Sequence, residues 1–178
     1  WAKFTPLPLG LSASDKFIAV SPNYAREILT PEFGCGMEGY LQKHAEKVMG
    51  ILNGIDESKW DPATDKAISS NFSLDNIEGK FKNKLDLQKA LGFEVNPDIP
   101  LMTTVTDQPW QFALLGTGDP ELERQANELA AQFPDRIACI LKYDDIIARM
   151  LYASGDIFLM PSLYEPCGLS QMFAMRYG

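Results

Sequence analysis

The last third of the chain alternates apolar runs of strand length with amphipathic runs of helix length, and this alternation limits the fold more than any other feature. QFALLG (111–116) precedes PELERQANELAAQF (120–133), RIACIL (136–141) precedes YDDIIARMLYAS (143–154), and DIFLM (156–160) precedes CGLSQMFAMRYG (167–178). Such alternation implies right-handed crossovers and a parallel sheet, an α/β fold. The strand runs are apolar throughout, which predicts strands covered on both faces. In the first helix Leu122, Ala126, Leu129, Ala130 and Phe133 form one stripe, and in the second Ile146, Ile147, Met150 and Leu151 do the same, so both stripes are expected to face the sheet.

Upstream the pattern is looser. KFIAV (16–20) reads as a short buried strand, and SPNYAREIL reads as a helix start, with Ser21 as N-cap and Pro22 in the first turn. VMGIL (48–52) is a second strand candidate, and it runs into NGIDESKWDPATD, whose Asn, Gly, Asp and Pro content marks a loop or hinge. From Leu74 to Leu91 four lysines (Lys80, Lys82, Lys84, Lys89) interleave with Phe81, Leu85, Leu87 and Leu91, which predicts a solvated amphipathic helix. Residues 101–105, LMTTV, read as a weak strand.

Composition narrows the function classes. The net charge of −8, with no block of five like charges, argues against a phosphate-backbone partner, so nucleic acid is not expected. No apolar run reaches the roughly 18 residues of a membrane helix, and the start WAKFTPLPLG does not read as a signal peptide. Cys35, Cys139 and Cys167 make no CxxC pair, and with a single histidine, His44, neither a disulfide framework nor a metal site is expected; a reducing compartment follows.

Chemistry is expected at the carboxyl edge of the parallel sheet, where ligands of open α/β sheets bind. Gly116 and Gly118 in LLGTGDPE stand between a strand and a helix, where close backbone approach to a ligand is one reading and a plain tight turn the other. Tyr143 lies at a second strand end, placed either to stack on a purine or to pack. MPSLYEPCGLSQMF is the richest segment. The amides of Gly168, Leu169 and Ser170 open a helix that can cradle an anion, and Glu165 just ahead can accept hydrogen bonds from sugar hydroxyls. The alternative is that Glu165 is a helix-start carboxylate favoured by the dipole. Cys167 has no histidine near it in sequence, so it is not expected to be a nucleophile.

Four of these segments together resemble the bacterial and plastidial starch and glycogen synthases: AVSPNYAREILTPEFGCGMEGYL, ILNGIDESKWDPATD, LLGTGDPELE and DIFLMPSLYEPCGLSQMFAMRYG. The resemblance implies a glycosyltransferase-B fold of two Rossmann-like domains. Residues 1–52 would then be the tail of the amino-terminal, acceptor-side domain, and residues 53–178 part of the carboxyl-terminal, nucleotide-sugar-binding domain. It further implies a retaining glucosyltransferase that moves glucose from ADP-glucose to the nonreducing end of an α-1,4-glucan, with no other cofactor and no metal, in a bacterial cytoplasm or a plastid.

By the same resemblance Glu165 is the catalytic carboxylate, Cys167, Gly168, Leu169 and Ser170 line the donor sugar and phosphates, Tyr143 lies beside the adenine, and Asn53 lies near the donor glucose. One departure stands out. The family supplies an arginine and a lysine to the diphosphate from a loop after the strand that matches LMTTV, and PLMTTVTDQPWQFALLG contains neither. A non-catalytic glucan-binding homologue, or a different nucleotide-sugar glycosyltransferase, is therefore the alternative. A phosphorylase would need a pyridoxal-binding lysine motif, for which there is no candidate.

Overall fold

The computed structural model describes residues 6–101, 110–162 and 164–178. The chain divides into two compact units, one made of residues 1–55 with 162–169 and the other of 56–161 with 170–178. The division expected after Leu52 did not anticipate that residues 162–169 group with the first unit.

In the first unit, helix α1 (Pro6–Ala13) leads into strand β1 (Phe17–Ala19), helix α2 (Pro22–Glu27), helix α3 (Glu38–Lys43), a 3-10 turn (Ala45–Lys47) and strand β2 (Val48–Gly50). The two strands pair in parallel, with Phe17 opposite Val48 and Ala19 opposite Gly50. Ser21 caps α2 as its sequence position predicts, its hydroxyl accepting the Tyr24 amide at 3.0 Å, and Pro22 occupies the first turn where no donor is needed. A glycine is required at position 50, because a Cβ there would stand 2.3 Å from the Ser21 carbonyl oxygen and from Pro22 Cα. His44 ends α3 as a half-exposed residue.

The second unit opens with a long irregular segment and then helix α4 (Glu78–Ala90), strand β3 (Phe112–Leu115), helix α5 (Pro120–Gln132), strand β4 (Ile137–Ile140), helix α6 (Asp145–Ser154) and helix α7 (Leu169–Tyr177), which starts in the first unit. Strands β3 and β4 pair in parallel, in register from Phe112 opposite Ile137 to Leu115 opposite Ile140. Helix α5 packs on β4, and α6 packs on β3 and α4. The alternating pattern is therefore realised as one β-α-β crossover, β3–α5–β4, followed by α6.

Helix α4 meets the expectation of a solvated lysine face only in part: Lys82 and Lys89 are exposed, but Lys84 is buried. Phe81 is 54% exposed, whereas Asn83, Lys84 and Gln88 are buried beside Leu87. The physical reason is the irregular chain around it, whose backbone groups must be satisfied away from water. Asn83 bonds both the amide and the carbonyl of Ser70, at 3.0 and 2.7 Å. Gln88 bonds the Asn96 carbonyl and amide and the side chain of buried Gln111, which in turn donates to the Glu94 carbonyl. Lys84 donates to the Pro97 carbonyl at 2.7 Å and pairs with Asp156 at 2.8 Å. Around this polar seam lies an apolar cluster of Leu87, Phe93 and Leu101, joined by Ala138, Met150 and Leu151.

Three further expectations are corrected. Residues 156–160 form no strand: Asp156 bonds Leu101 through its amide and its carboxylate, but no ladder continues along Ile157–Met160 among the described residues. A cavity of about 530 Å³, lined by Phe112, Leu114, Ile157 and Leu159, lies where a strand would have to pair. The strands are not covered on both faces either; in β3 and β4 only Ile137 is fully buried, and Ile18 of β1 is 64% exposed. On α5, Leu122, Leu129 and Phe133 are 64%, 44% and 44% exposed, so the stripe is only partly covered. Of the expected strand 101–105, Leu101 forms one parallel bridge with Gln111, and the rest lies outside the described residues. Leu87 is 2% exposed at the centre of the cluster; Leu87→Ala is expected to lower unfolding stability by about 2 to 5 kcal/mol, read from chemical denaturation.

Candidate functional site

The register of β3 and β4 brings two strand ends to one edge. The Gly116 amide still donates to the Ile140 carbonyl, at 3.1 Å, so it extends the ladder by one bond before the chain turns. Asp119 then caps α5, accepting the amides of Glu121 and Leu122, while the Gly118 amide donates to the Glu123 carboxylate at 2.8 Å. At the neighbouring strand end Asp144 caps α6 through the amides of Ile146 and Ile147. Tyr143, just before it, is 91% exposed.

Above this edge lies a cavity of about 390 Å³. Gly116, Tyr143 and Ser170 all line it, so three of the residues singled out from sequence meet at one place; Gly118 does not line it. Trp60, Lys142 and Phe173 line it too, and sequence reasoning missed them as site residues. Trp60 sits in the loop SKWDPATD, where a large aromatic among turn residues was the one available signal. Its ring is stacked on Phe173, 3.8 Å between centroids and 16° between planes.

The remaining candidates lie in the first unit. Glu165 is exposed, and its carboxylate is engaged locally: Oε1 accepts the Gly168 amide at 2.9 Å and Oε2 accepts the Ser162 hydroxyl at 3.3 Å. This differs from the expectation that the Gly168 amide faces a phosphate, because a carboxylate three residues earlier already occupies it, as helix-start acids do. Gly168 is buried with φ +76°, a conformation that favours glycine. Cys167 is a half-buried free thiol, Leu169 begins α7, and Asn53 is exposed in the irregular stretch after β2. Tyr164 is stacked on Phe33 at 4.8 Å and meets Tyr24 edge-on at 5.8 Å, so the residue next to Glu165 is anchored to the segment between α2 and α3.

Charge at the sheet edge is paired. Lys142 Nζ lies 2.7 Å from Asp144, and this contact, ahead of the two cap amides, holds the Asp144 carboxyl below the usual carboxylate range. A depressed carboxyl stabilises the fold above its unfolded value near 4 and loses that contribution as pH falls below it. Asp144→Asn, which keeps a capping oxygen, is therefore expected to flatten the fall of melting temperature between about pH 5 and 2, measured by thermal melts across that range. Among the described residues no group of three or more His, Cys, Asp or Glu is arranged to hold a metal, and no helix is long and apolar enough to cross a membrane.

Comparison with known proteins follows the same residues. The family model described as the starch synthase catalytic domain matches residues 1–43. The glycogen synthases of Aromatoleum aromaticum and Syntrophotalea carbinolica are each 42% identical to this chain, over 100% and 97% of it, and the chain spans 40% of the length of either. The first match extends over 197 positions against the 178 residues here. The catalytic domain of starch synthase IV from Arabidopsis thaliana, solved bound to ADP and acarbose, superposes with a TM-score of 0.83 at 37% identity, covering 92% of this chain and 38% of that one. The α/β architecture with parallel sheets is thus that of glycosyltransferase-B enzymes. In sequence and in fold, these residues are a part-length member of the starch and glycogen synthase family, matching about two fifths of a full chain.

Proposed function

We propose that the protein to which these residues belong is a retaining glucosyltransferase that moves glucose from ADP-glucose to the nonreducing end of an α-1,4-glucan, in a bacterial cytoplasm or a plastid. Residues 53–178 would supply part of its nucleotide-sugar-binding domain, and residues 1–52 the end of its acceptor-side domain. The observation that carries this reading is the cavity of about 390 Å³ at the carboxyl edge of β3 and β4, where Gly116, Tyr143 and Ser170 meet. Its size falls within the range of small-molecule sites, and its position is where parallel sheets bind nucleotides. A relative solved with ADP and acarbose lends support.

The reaction breaks the bond between the anomeric carbon and the diphosphate and forms one to a glucan hydroxyl oxygen on the same face, the hydroxyl proton passing to the departing diphosphate. Negative charge grows on the departing diphosphate and positive charge on the sugar ring. In this reading Tyr143 stacks on the base, backbone amides at the start of α7 face the diphosphate, and Glu165 stabilises the ring's positive charge. Its bond to Gly168 then serves to aim the carboxylate. One fixed charge or dipole of this kind is worth on the order of 3 kcal/mol in the transition state.

A second reading, a glucan-binding homologue without turnover, is favoured by one observation: residues 102–110, MTTVTDQPW, contain no lysine or arginine to meet a diphosphate. Calorimetry and turnover on the full-length protein separate the two. The transferase reading expects ADP-glucose to bind in preference to UDP-glucose and glucose to be transferred; glucan binding without nucleotide binding supports the second reading instead. In the transferase, Glu165→Ala is expected to lower kcat by about a hundredfold or more, and Tyr143→Ala to weaken ADP by about threefold to tenfold.

A further inference from the structure

Two carboxylates, Asp144 and Asp145, line the cavity at the edge of β3 and β4. An anionic nucleotide would be repelled by both unless each carries its own cation. Each does. Lys142 pairs with Asp144, as described, while Asp145 accepts Arg149 Nη2 at 2.8 Å and stands 3.5 Å from Lys59 Nζ.

Arg149 differs from the two lysines in being held from several sides. Its side chain is only 15% exposed, and its Nη1 pairs at 3.2 Å with Asp65, whose side chain is wholly buried. Asp65 is fixed in turn by the Ala67 amide and by the hydroxyl of Tyr177, a phenol that burial, and then this bond, raise well above its ordinary value. The Arg149 guanidinium also lies over the Trp60 ring, 5.1 Å from its centroid, on the residue that walls the cavity with Phe173. Nε is buried with no hydrogen-bond partner among the described residues, so hydrogen bonding alone does not account for the placement of this side chain.

We infer that Arg149 is a positioning residue for anionic ligands of this cavity: it neutralises Asp145 in the cavity wall, and buried Asp65 holds it there, so that a nucleoside diphosphate meets no uncompensated carboxylate. This rests on the nucleotide reading proposed above and adds the residue through which charge selectivity is set. Because Arg149 acts through Asp145, its loss acts on the phosphates of a ligand and spares the uncharged base and ribose.

The test is calorimetry on the full-length protein with three probes, ADP, adenosine and inorganic pyrophosphate. Arg149→Met is expected to weaken ADP by about tenfold and adenosine by less than about twofold. Adding Asp145→Asn to that variant restores ADP affinity, and Arg149→Lys retains it. Asp145→Asn alone, which leaves Asp65 paired and the fold least disturbed, binds ADP at least as tightly as the unaltered protein. Equal weakening of ADP and adenosine in Arg149→Met, or weaker ADP binding in Asp145→Asn, overturns the inference and leaves Arg149 a purely structural group. An unaltered protein that binds pyrophosphate but neither ADP nor adenosine sinks the nucleotide reading alone, and the same variants are then compared on pyrophosphate. Binding of none of the three overturns both.

Discussion

Four rungs of parallel backbone pairing, from Phe112 opposite Ile137 to Leu115 opposite Ile140, are the constraint from which the second unit follows. They set the two strand ends level, so that the turns entering α5 and α6 rise on the same edge. Each turn is then terminated in the same way, by an aspartate that takes the first free amides of its helix. With the strand ends level and the helix starts capped, Gly116 and Tyr143 come to share one cavity although they are distant in the chain. A slip of one residue in the ladder would turn the apolar side chains of one strand to the opposite face.

Around this ladder the unit is held in part by buried polar groups. Asn83, Lys84, Gln88 and Gln111 satisfy backbone groups of irregular chain, and in the loop that carries Trp60 the Asp65 carboxylate accepts the Ala67 amide and is itself held by Arg149 and Tyr177. Each such bond favours one arrangement, because a shift that breaks it leaves a donor or acceptor unmet in a medium of low dielectric. The loop from Asp56 to Phe72 thereby gains a defined course without regular secondary structure, and Trp60 is presented as part of the cavity wall.

The segment that carries Glu165 is ordered by local chemistry. Its carboxylate accepts the Gly168 amide just before α7, which is the ordinary capping behaviour of an acid at a helix start. The same bond fixes the direction of the carboxylate. Tyr164, stacked on Phe33, gives the preceding residue a second anchor within the first unit.

What the sequence determined by itself was whatever depends on near neighbours in the chain. The alternation of strand and helix lengths, the cap at Ser21 and the glycines at strand ends are all short-range, and all are legible in the string of residues. What only the tertiary structure decided depends on partners far away in the chain. Lys84 and Gln88 look solvent-facing until the carbonyls of Asn96 and Pro97 are seen to need them. Residues 156–160 read as a strand by composition, but a ladder needs a neighbour at about 4.8 Å, and that is a property of the assembled sheet. The stack of Trp60 on Phe173 at the cavity wall and the ion pair of Arg149 with buried Asp65 bridge 113 and 84 residues of chain, and no local pattern encodes such a distance.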